Sequence, residues 1–324
     1  MSRQILRVND LHIYFDTYLG TLKAVNGVSF EIGENEIFGL VGESGCGKTV
    51  TALSILRLIK YPGKIISGQI FFKDEDLLKK DESEMQEIRG RGISMIFQDP
   101  YSSLNPVMKI GEQIAEVFQF HQKLSKKKSL EEGLKMMDLV GIPSPISRYR
   151  DYPHQFSGGM RQRIMAAISL SCVPSLLVAD EPTTALDVTI QAQILNLIHD
   201  LSSKMGVSVL MITHNLGIIA RYADRLGVMY AGKIVETADV DSIFYNPLHP
   251  YTRGLLKSIP KIGHKEKLST IEGTVPSLIG DFRGCRFYAR CSEKKDICES
   301  IEPNLVEVEP NHKVSCHLHY LMGL

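Results

Sequence analysis

The pattern of apolar and polar positions gives β-type runs at Leu6 to Tyr14, Val28 to Ile32 and Glu36 to Val41, in a stretch that alternates them with helical ones, which predicts an opening sheet. Gly42 to Thr49 is a glycine-rich loop. Beyond it Leu53, Leu56 and Ile59 recur at helical spacing within Thr51 to Ile59, so strand, loop and helix follow one another. Gly68 to Phe72 and Ile93 to Phe97 are further predicted strands. After Pro106 the pattern turns helical through Ile114, Val117 and Phe118, and again through Leu134, Met137 and Leu139, until Pro143 and Pro145 break it. Residues 106–172 therefore read as a helical subdomain inserted into an α/β core.

Leu176 to Ala179 and Val207 to Ile212 are apolar runs on either side of a helix-like segment around Ile194, Leu197 and Leu201, as in a crossover between buried parallel strands. The core is predicted to be a parallel or mixed sheet flanked by helices. From Leu226 to Val235 two short strands turn at Ala231-Gly232. Pro247, Pro250, Pro260 and the charged run KIGHKEK then mark a linker into a cysteine-bearing tail.

Composition narrows the class. The 324 residues are 44% hydrophobic and 23% charged, which excludes disorder as the main state and allows about two domains at ~150 residues each. With 37 basic and 37 acidic side chains the chain lacks the broad positive field of a nucleic-acid binder, so no nucleic-acid partner is expected. The lysines at 126–128 read as a solvated helix face. Arg3, Arg7, Asn9 and Asp10 interrupt the N-terminal apolar residues, so no secretory signal is read there and the expected compartment is the cytoplasm. No apolar stretch reaches the ~20 residues that span a bilayer, so any membrane role is borrowed from a partner. Four of the 6 cysteines crowd into the last fifth of the chain, which in a reducing compartment points to metal rather than disulfides.

Three segments carry chemistry. GESGCGKT at 42–49 fits the phosphate-loop pattern G-x4-G-K-S/T between a predicted strand and helix. Its glycines let backbone N–H groups close around phosphate, Lys48 neutralises charge, and the Thr49 hydroxyl is placed to ligate Mg2+. LLVADEP at 176–182 is an apolar strand ending in two acids: Asp180 can hold Mg2+ through water and Glu181 can accept a hydrogen bond from an attacking water. In FSGGMRQR at 156–163, Ser157 is a helix N-cap, and Gly158 and Gly159 expose amides at a helix start, a second anion site.

With these motifs in order, residues 5–250 resemble the ATP-binding cassette (ABC) ATPases. GESGCGKT stands as Walker A, Gln98 in IFQDP as the Q-loop, FSGGM as the signature, LLVAD as Walker B followed by Glu181, TALD at 184–187 as the D-loop, and His214 in ITHN as the switch histidine. The resemblance implies an α/β P-loop ABC ATPase fold: a mixed sheet with helices, an antiparallel β subdomain and the helical subdomain. It implies that ATP is held by Gly42, Glu43, Ser44, Gly45, Cys46, Gly47, Lys48, Thr49 and Val50 and that Mg2+ is held by Thr49, Gln98 and Asp180. Glu181 would be the catalytic base, Gln98 would sense the metal and attacking water, and His214 would contact the γ-phosphate. Gly158 and Asp187 would also bind nucleotide, and Ser157 and Gly159 would serve ATP bound on the opposite subunit, so a second ATPase chain, identical or different, is implied. Counting back from AVNGVSF favours Phe15 as the adenine-stacking aromatic, with Tyr18 second. Phe156 and Met160 depart from the commonest signature residues.

AVNGVSF, IFQDPYSSLNP, DEPTTALDVTIQAQIL and NPLHPYTRGLL, followed by EGTVPSL and GCRFYARC, resemble the ATPase subunits of dipeptide and oligopeptide importers. Nickel and glutathione importers share much of this pattern, and a soluble ABC ATPase is the remaining alternative. The resemblance implies an ATP-binding domain at 1–255 and a small C-terminal cysteine-rich metal-binding extension at 256–324. Its partners would be transmembrane permease subunits and, indirectly, an extracytoplasmic peptide-binding protein, which places the chain peripherally on the cytoplasmic face of the membrane. Cys285, Cys291, Cys298 and Cys316 are spaced C-x5-C-x6-C-x17-C, which does not specify a metal. Relatives with this tail carry a 4Fe-4S cluster there, which favours iron–sulfur over zinc. Cys46 and Cys172 read as packing residues, and His312, His317 and His319 as surface histidines, with spare metal ligands as the alternative.

Overall fold

The computed structural model describes residues 3–183, 187–259 and 270–319. The chain divides into two compact units, one of residues 1–5, 33–35 and 79–210, the other of 6–32, 36–78 and 211–324.

In the second of these, strand Gln4–Thr17 lies between Gly20–Gly33 and Gly63–Phe72, and Glu75–Asp76 closes a four-stranded antiparallel sheet. Leu6 and Val8 point inward on even positions, Leu11 and Ile13 on odd ones, and all four are fully buried. A period of two cannot change parity without an extra residue. The ladder supplies it as a register shift between Asn9 and His12, where Asp10 takes φ 45°. Gly68, at φ +110°, sits against this bulge: a Cβ there would lie 2.7 Å from the Asp10 carbonyl oxygen.

Strand Ile37–Val41, buried along its whole length, runs parallel to Arg225–Tyr230, which pairs antiparallel with Lys233–Asp239. The connecting residues Ala231 and Gly232 have φ 48° and 83°, positive at both central positions as a tight hairpin requires, and they stand where the sequence places the turn. The helix after the glycine-rich loop is Lys48–Ile55, starting earlier and ending sooner than the apolar spacing predicts, because Gly47 caps it and Arg57 turns to φ 53°.

The other unit contains the parallel strands Ile93–Ile96 and Leu176–Asp180, every residue of both buried. Helices Ile110–Gln122, Lys126–Leu139 and Gly158–Leu170 fill the predicted helical stretch, with Ile110, Ile114, Phe118, Met136 and Met137 buried. Lys126, Lys127 and Lys128 are exposed, as a solvated face requires. Helix Val188–Met205 follows.

The predicted linker needs a correction. Pro250 is the first residue of helix Pro250–Lys257, a position where its missing N–H costs nothing, and Tyr251 beneath it is fully buried. Pro260 and the KIGHKEK run lie outside the described residues. The tail then returns to the sheet. Strand His312–Val314 pairs with Lys233–Asp239, Glu236 opposite Val314, and Val306–Glu309 pairs outside it.

The joint between tail and sheet is a buried carboxylate. Glu236 accepts from the N–H groups of Leu248 (2.6 Å) and His249 (2.9 Å), and its Oε1 lies 2.8 Å from Nε2 of His312. Desolvation works against the charge, and these donors overcome it and hold the carboxyl below its usual range. His312 is 1% exposed, so it is a core ligand of this carboxylate rather than the surface histidine expected. His249 is driven down from 6.5 to about 4 chiefly by burial, and its Nδ1 accepts from the Tyr251 N–H at 3.0 Å, which requires the neutral ring.

A histidine with a depressed folded value stabilises the fold above its unfolded value and loses that contribution as pH falls from about 6.5 towards 4. Urea denaturation across this window should show stability falling by up to about 3 kcal/mol, with Glu236 adding a further loss below it. His249→Asn, which keeps a capping acceptor but does not titrate, should flatten the decline between pH 6.5 and 4.

Candidate functional site

Strand Ile37–Val41 delivers the chain to the glycine-rich loop, and close backbone approach dictates the glycines. A Cβ on Gly42 would lie 2.1 Å from the Met229 carbonyl oxygen, and one on Gly47, at φ +106°, would lie 2.5 Å from that of Ala24. The Cys46 carbonyl accepts from the Gly232 N–H at 2.9 Å, which ties the loop to the hairpin. Gly47 then caps Lys48–Ile55 without a side-chain bond.

Within the loop the Lys48 ammonium, 5% exposed, donates to the carbonyls of Gly42 (2.8 Å) and Glu43 (3.0 Å). A buried cation held by neutral groups is a strong attractor for an anion. Ser44, Gly45 and Thr49 are exposed, and Val50 is half-buried. Cys46 is buried, its Sγ 3.7 Å from the Lys48 ammonium. Burial pushes its thiol up while Lys48 pulls it down, and the net rise keeps it a protonated packing group.

Glu43 faces away from this centre. Its N–H donates to the Tyr251 hydroxyl at 3.0 Å, and its carboxylate accepts two bonds from Arg290, at 2.7 and 3.0 Å. Tyr251 and Arg290 were not singled out by the sequence. They lie inside NPLHPYTRGLL and GCRFYARC, segments noted only for their resemblance.

Phe15 is half-buried opposite Gly63, whose Cβ would lie 2.5 Å from its ring, whereas Tyr18 is 96% exposed in the hairpin turn before Gly20–Gly33. His214 follows strand Ser208–Thr213 and is exposed.

The other unit carries the second group of motif residues. Asp180 ends strand Leu176–Asp180 at 2% exposure. Glu181 has φ 44°, a left-handed backbone that costs a non-glycine residue of order 1 kcal/mol and re-aims the side chain as the strand ends. Gln98 Nε2 donates to Glu181 Oε2 at 2.9 Å, joining two candidates that are 83 residues apart. Ser157 caps helix Gly158–Leu170 by accepting from the Met160 N–H. Gly159 lets helix Val188–Met205 come close: a Cβ would lie 2.7 Å from Ile190. Phe156 is 2% exposed beneath the Arg148 guanidinium, 5.4 Å from its ring centre. Asp187 caps Val188–Met205 through Thr189 and Ile190 N–H groups at 3.1 and 3.0 Å. Thr184, Ala185 and Leu186 of the TALD motif lie outside the described residues.

The tail cysteines differ from the expected metal site. Cys298 and Cys316 are buried, Cys285 and Cys291 half-buried, and the Cys285 N–H donates to the Cys298 carbonyl at 2.7 Å. Burial, with smaller contributions from the charges of the other three thiols, pushes Cys285 up to about 11, and Cys316 reaches about 11 in the same way. Such thiols are protonated at neutral pH and pack as small apolar groups, Cys316 against Leu248 and Val314. Among the described residues no group of three or more His, Cys, Asp or Glu side chains is disposed to hold a metal ion. His317 Nε2 donates to the Ile301 carbonyl at 2.8 Å and the residue is 8% exposed, so it too is internal.

Residues 25–184 match the family model described as ABC transporter, and residues 235–298 match that described as Oligopeptide/dipeptide transporter, C-terminal region. The chain is 50% identical over 317 residues to the Dipeptide transport ATP-binding protein DppD of Bacillus subtilis (strain 168), covering 97% of this chain and 95% of that protein. The chain belongs to the ABC transporter family. Its ATP-binding-subunit character extends to a second relative, the Oligopeptide transport ATP-binding protein OppD of Bacillus subtilis (strain 168), at 49% identity over 97% of this chain and 89% of that protein. The fold is also that of the ATP-binding cassette MJ0796, at a TM-score of 0.65 and 22% identity over 72% of this chain and 98% of that one.

The close approaches at the loop make a direct prediction. Gly45→Ala meets no atom within 4 Å but must hold φ +79°, so it should lose about 1 kcal/mol in chemical denaturation. Gly47→Ala must in addition displace the Ala24 carbonyl, and should lose more than about 2 kcal/mol together with nucleotide binding.

Proposed function

We propose that this chain is the ATPase subunit that couples ATP binding and hydrolysis to the import of dipeptides and oligopeptides through membrane-spanning partner subunits. The observation that carries the reading is the joining, in one chain, of a match to the ABC transporter model at 25–184 and to the oligopeptide/dipeptide transporter C-terminal region at 235–298. The near-complete overlap with DppD and OppD supports it.

Each motif residue then has a role that its own chemistry suits. Lys48, set in place by two loop carbonyls, meets phosphate oxygens, and the amides of Gly45 to Thr49 cradle the same group. Glu181, held by Gln98, accepts the proton of the attacking water. Thr49, Gln98 and Asp180 are assigned to Mg2+, which supplies charge neutralisation at the phosphates when bound. His214 is assigned to the γ-phosphate and Phe15, half-buried and anchored, to adenine. Gly158 and Asp187 are assigned to nucleotide, and Ser157 and Gly159 to nucleotide held by a second ATPase chain, so two chains complete the sites. No helix among the described residues is long and apolar enough to cross a membrane. Attachment is therefore assigned to permease subunits, with an extracytoplasmic peptide-binding protein as an indirect partner and residues 1–255 and 256–324 as the ATP-binding domain and its extension.

Glu181→Gln should keep ATP affinity and lose hydrolysis by about 100-fold or more, the usual worth of a positioned base. Turnover near that of the unaltered protein would remove Glu181 from the role. In cells lacking the endogenous subunit, the intact chain should restore uptake of labelled dipeptides and tetrapeptides and the Glu181→Gln variant should not. Restored nickel uptake without peptide uptake would overturn the substrate.

The donor chemistry of Cys285, Cys291, Cys298 and Cys316 suits a 4Fe-4S cluster once the protons are displaced, since Cys285, Cys291 and Cys316 each feel the charge of others in the set. Protein purified without oxygen should carry about four irons and four acid-labile sulfides per chain. Stoichiometric zinc, or no metal, would overturn the cluster.

A further inference from the structure

The phosphate loop is gripped from outside by the C-terminal segment, and Arg290 makes the grip. All five guanidinium N–H groups are spoken for. Nε donates to the Glu272 carbonyl (3.0 Å), one terminal nitrogen to Glu43 Oε2 (2.7 Å) and the Tyr230 hydroxyl (3.4 Å), and the other to Glu43 Oε1 (3.0 Å) and the Ile271 carbonyl (3.2 Å). The side chain is 5% exposed, and its stem lies over Gly273, where a Cβ would come within 3.2 Å. A fork with every donor satisfied has one orientation, and it imposes that orientation on the carboxylate it holds.

That carboxylate belongs to the residue between Gly42 and Ser44. Tyr251, whose ring lies tilted against that of Tyr230 with the centres 4.6 Å apart, holds the Glu43 N–H as well. Glu43 is thus pinned at both main chain and side chain, and its carbonyl is one of the two that hold the Lys48 ammonium. A shift of Glu43 moves that carbonyl and, with it, the cation that meets phosphate.

We propose that Arg290 is a positioning residue for nucleotide binding: by fixing Glu43 it fixes the phosphate loop around Lys48, so that the C-terminal segment sets the affinity of the chain for ATP. This rests on the reading of residues 42–49 as the ATP phosphate loop. It requires no contact between Arg290 and nucleotide.

The test uses the full chain and compares Arg290→Ala, Arg290→Lys, Glu43→Gln and the double variant Arg290→Ala/Glu43→Gln. ATP dissociation constants come from a fluorescent ATP analogue under non-hydrolysing conditions, and KM and kcat from steady-state turnover. Arg290→Ala and Glu43→Gln should each weaken ATP binding and raise KM by about tenfold, with kcat changing far less. Arg290→Lys should fail to restore affinity because a single ammonium cannot reproduce the two-pronged contact. The double variant should be no weaker than the worse single one, since both remove the same interaction.

Unchanged affinity in Glu43→Gln, which leaves the other three acceptors of Arg290 in place, would overturn the proposal even if Arg290→Ala fails to fold. Multiplying effects in the double variant would overturn it too. Lys48→Ala separates the two levels. If it abolishes ATP binding while Arg290→Ala and Glu43→Gln do not alter it, the positioning role falls and the phosphate loop stands. If it binds ATP as the unaltered protein does, the phosphate-loop reading falls and the positioning role with it.

Discussion

The loop that carries Lys48 depends on a backbone passing closer to its neighbours than any side chain allows. Gly42 lies under the Met229 carbonyl and Gly47 under that of Ala24, and the Gly232 N–H reaches the Cys46 carbonyl. These approaches come from strands far apart in the chain, so the loop cannot take its shape alone. It takes it from the pairing of Ile37–Val41 with Arg225–Tyr230 and from the hairpin at Ala231-Gly232. The buried ammonium is stable in this shape only because two carbonyls turn towards it, and the same arrangement makes it a ready partner for an anion.

The C-terminal residues are structural parts of the unit that holds this loop. Glu236 lies at the centre of their attachment, fully buried and met by two backbone amides and His312. A carboxylate so placed is costly unless every lone pair is answered. Here the tail supplies one of the answers, so losing the tail would leave a buried charge short of donors. His249 is kept neutral beside it by burial, and the packing of Phe287 against His249, Tyr230 and Tyr251 carries this joint across to Arg290 and Glu43. Peptide-transporter relatives share this region in the family model, and its contacts give it a physical reason to accompany the cassette.

The cysteines show how chemistry and placement separate. Four thiols in one segment are a donor set by composition, yet burial holds Cys285 and Cys316 at about 11, and Cys316 packs with Leu248 and Val314. A ligand set exists only when protons leave, which couples metal affinity to pH and to the order of the segment.

Local chemistry was legible in the sequence wherever a residue acts on its near neighbours. The β-type run of Leu6 to Tyr14, the strand before Gly42, the hairpin at Ala231-Gly232, the cap Ser157 and the phosphate loop itself need only spacing and side-chain type. Long-range pairing was not legible, because periodicity records which face of an element is apolar and says nothing of what meets it. So the β-type run through Asp10 is visible but the bulge against Gly68 is not, and Pro250 reads as a break until a helix is seen to begin there. Glu43 reads as a loop residue open to phosphate, while tertiary structure turns it to Tyr251 and Arg290, more than 200 residues away. Fixed spacing of backbone donors and a cation makes a phosphate loop recognisable anywhere, whereas its precise setting is decided by partners that only folding brings within hydrogen-bonding distance.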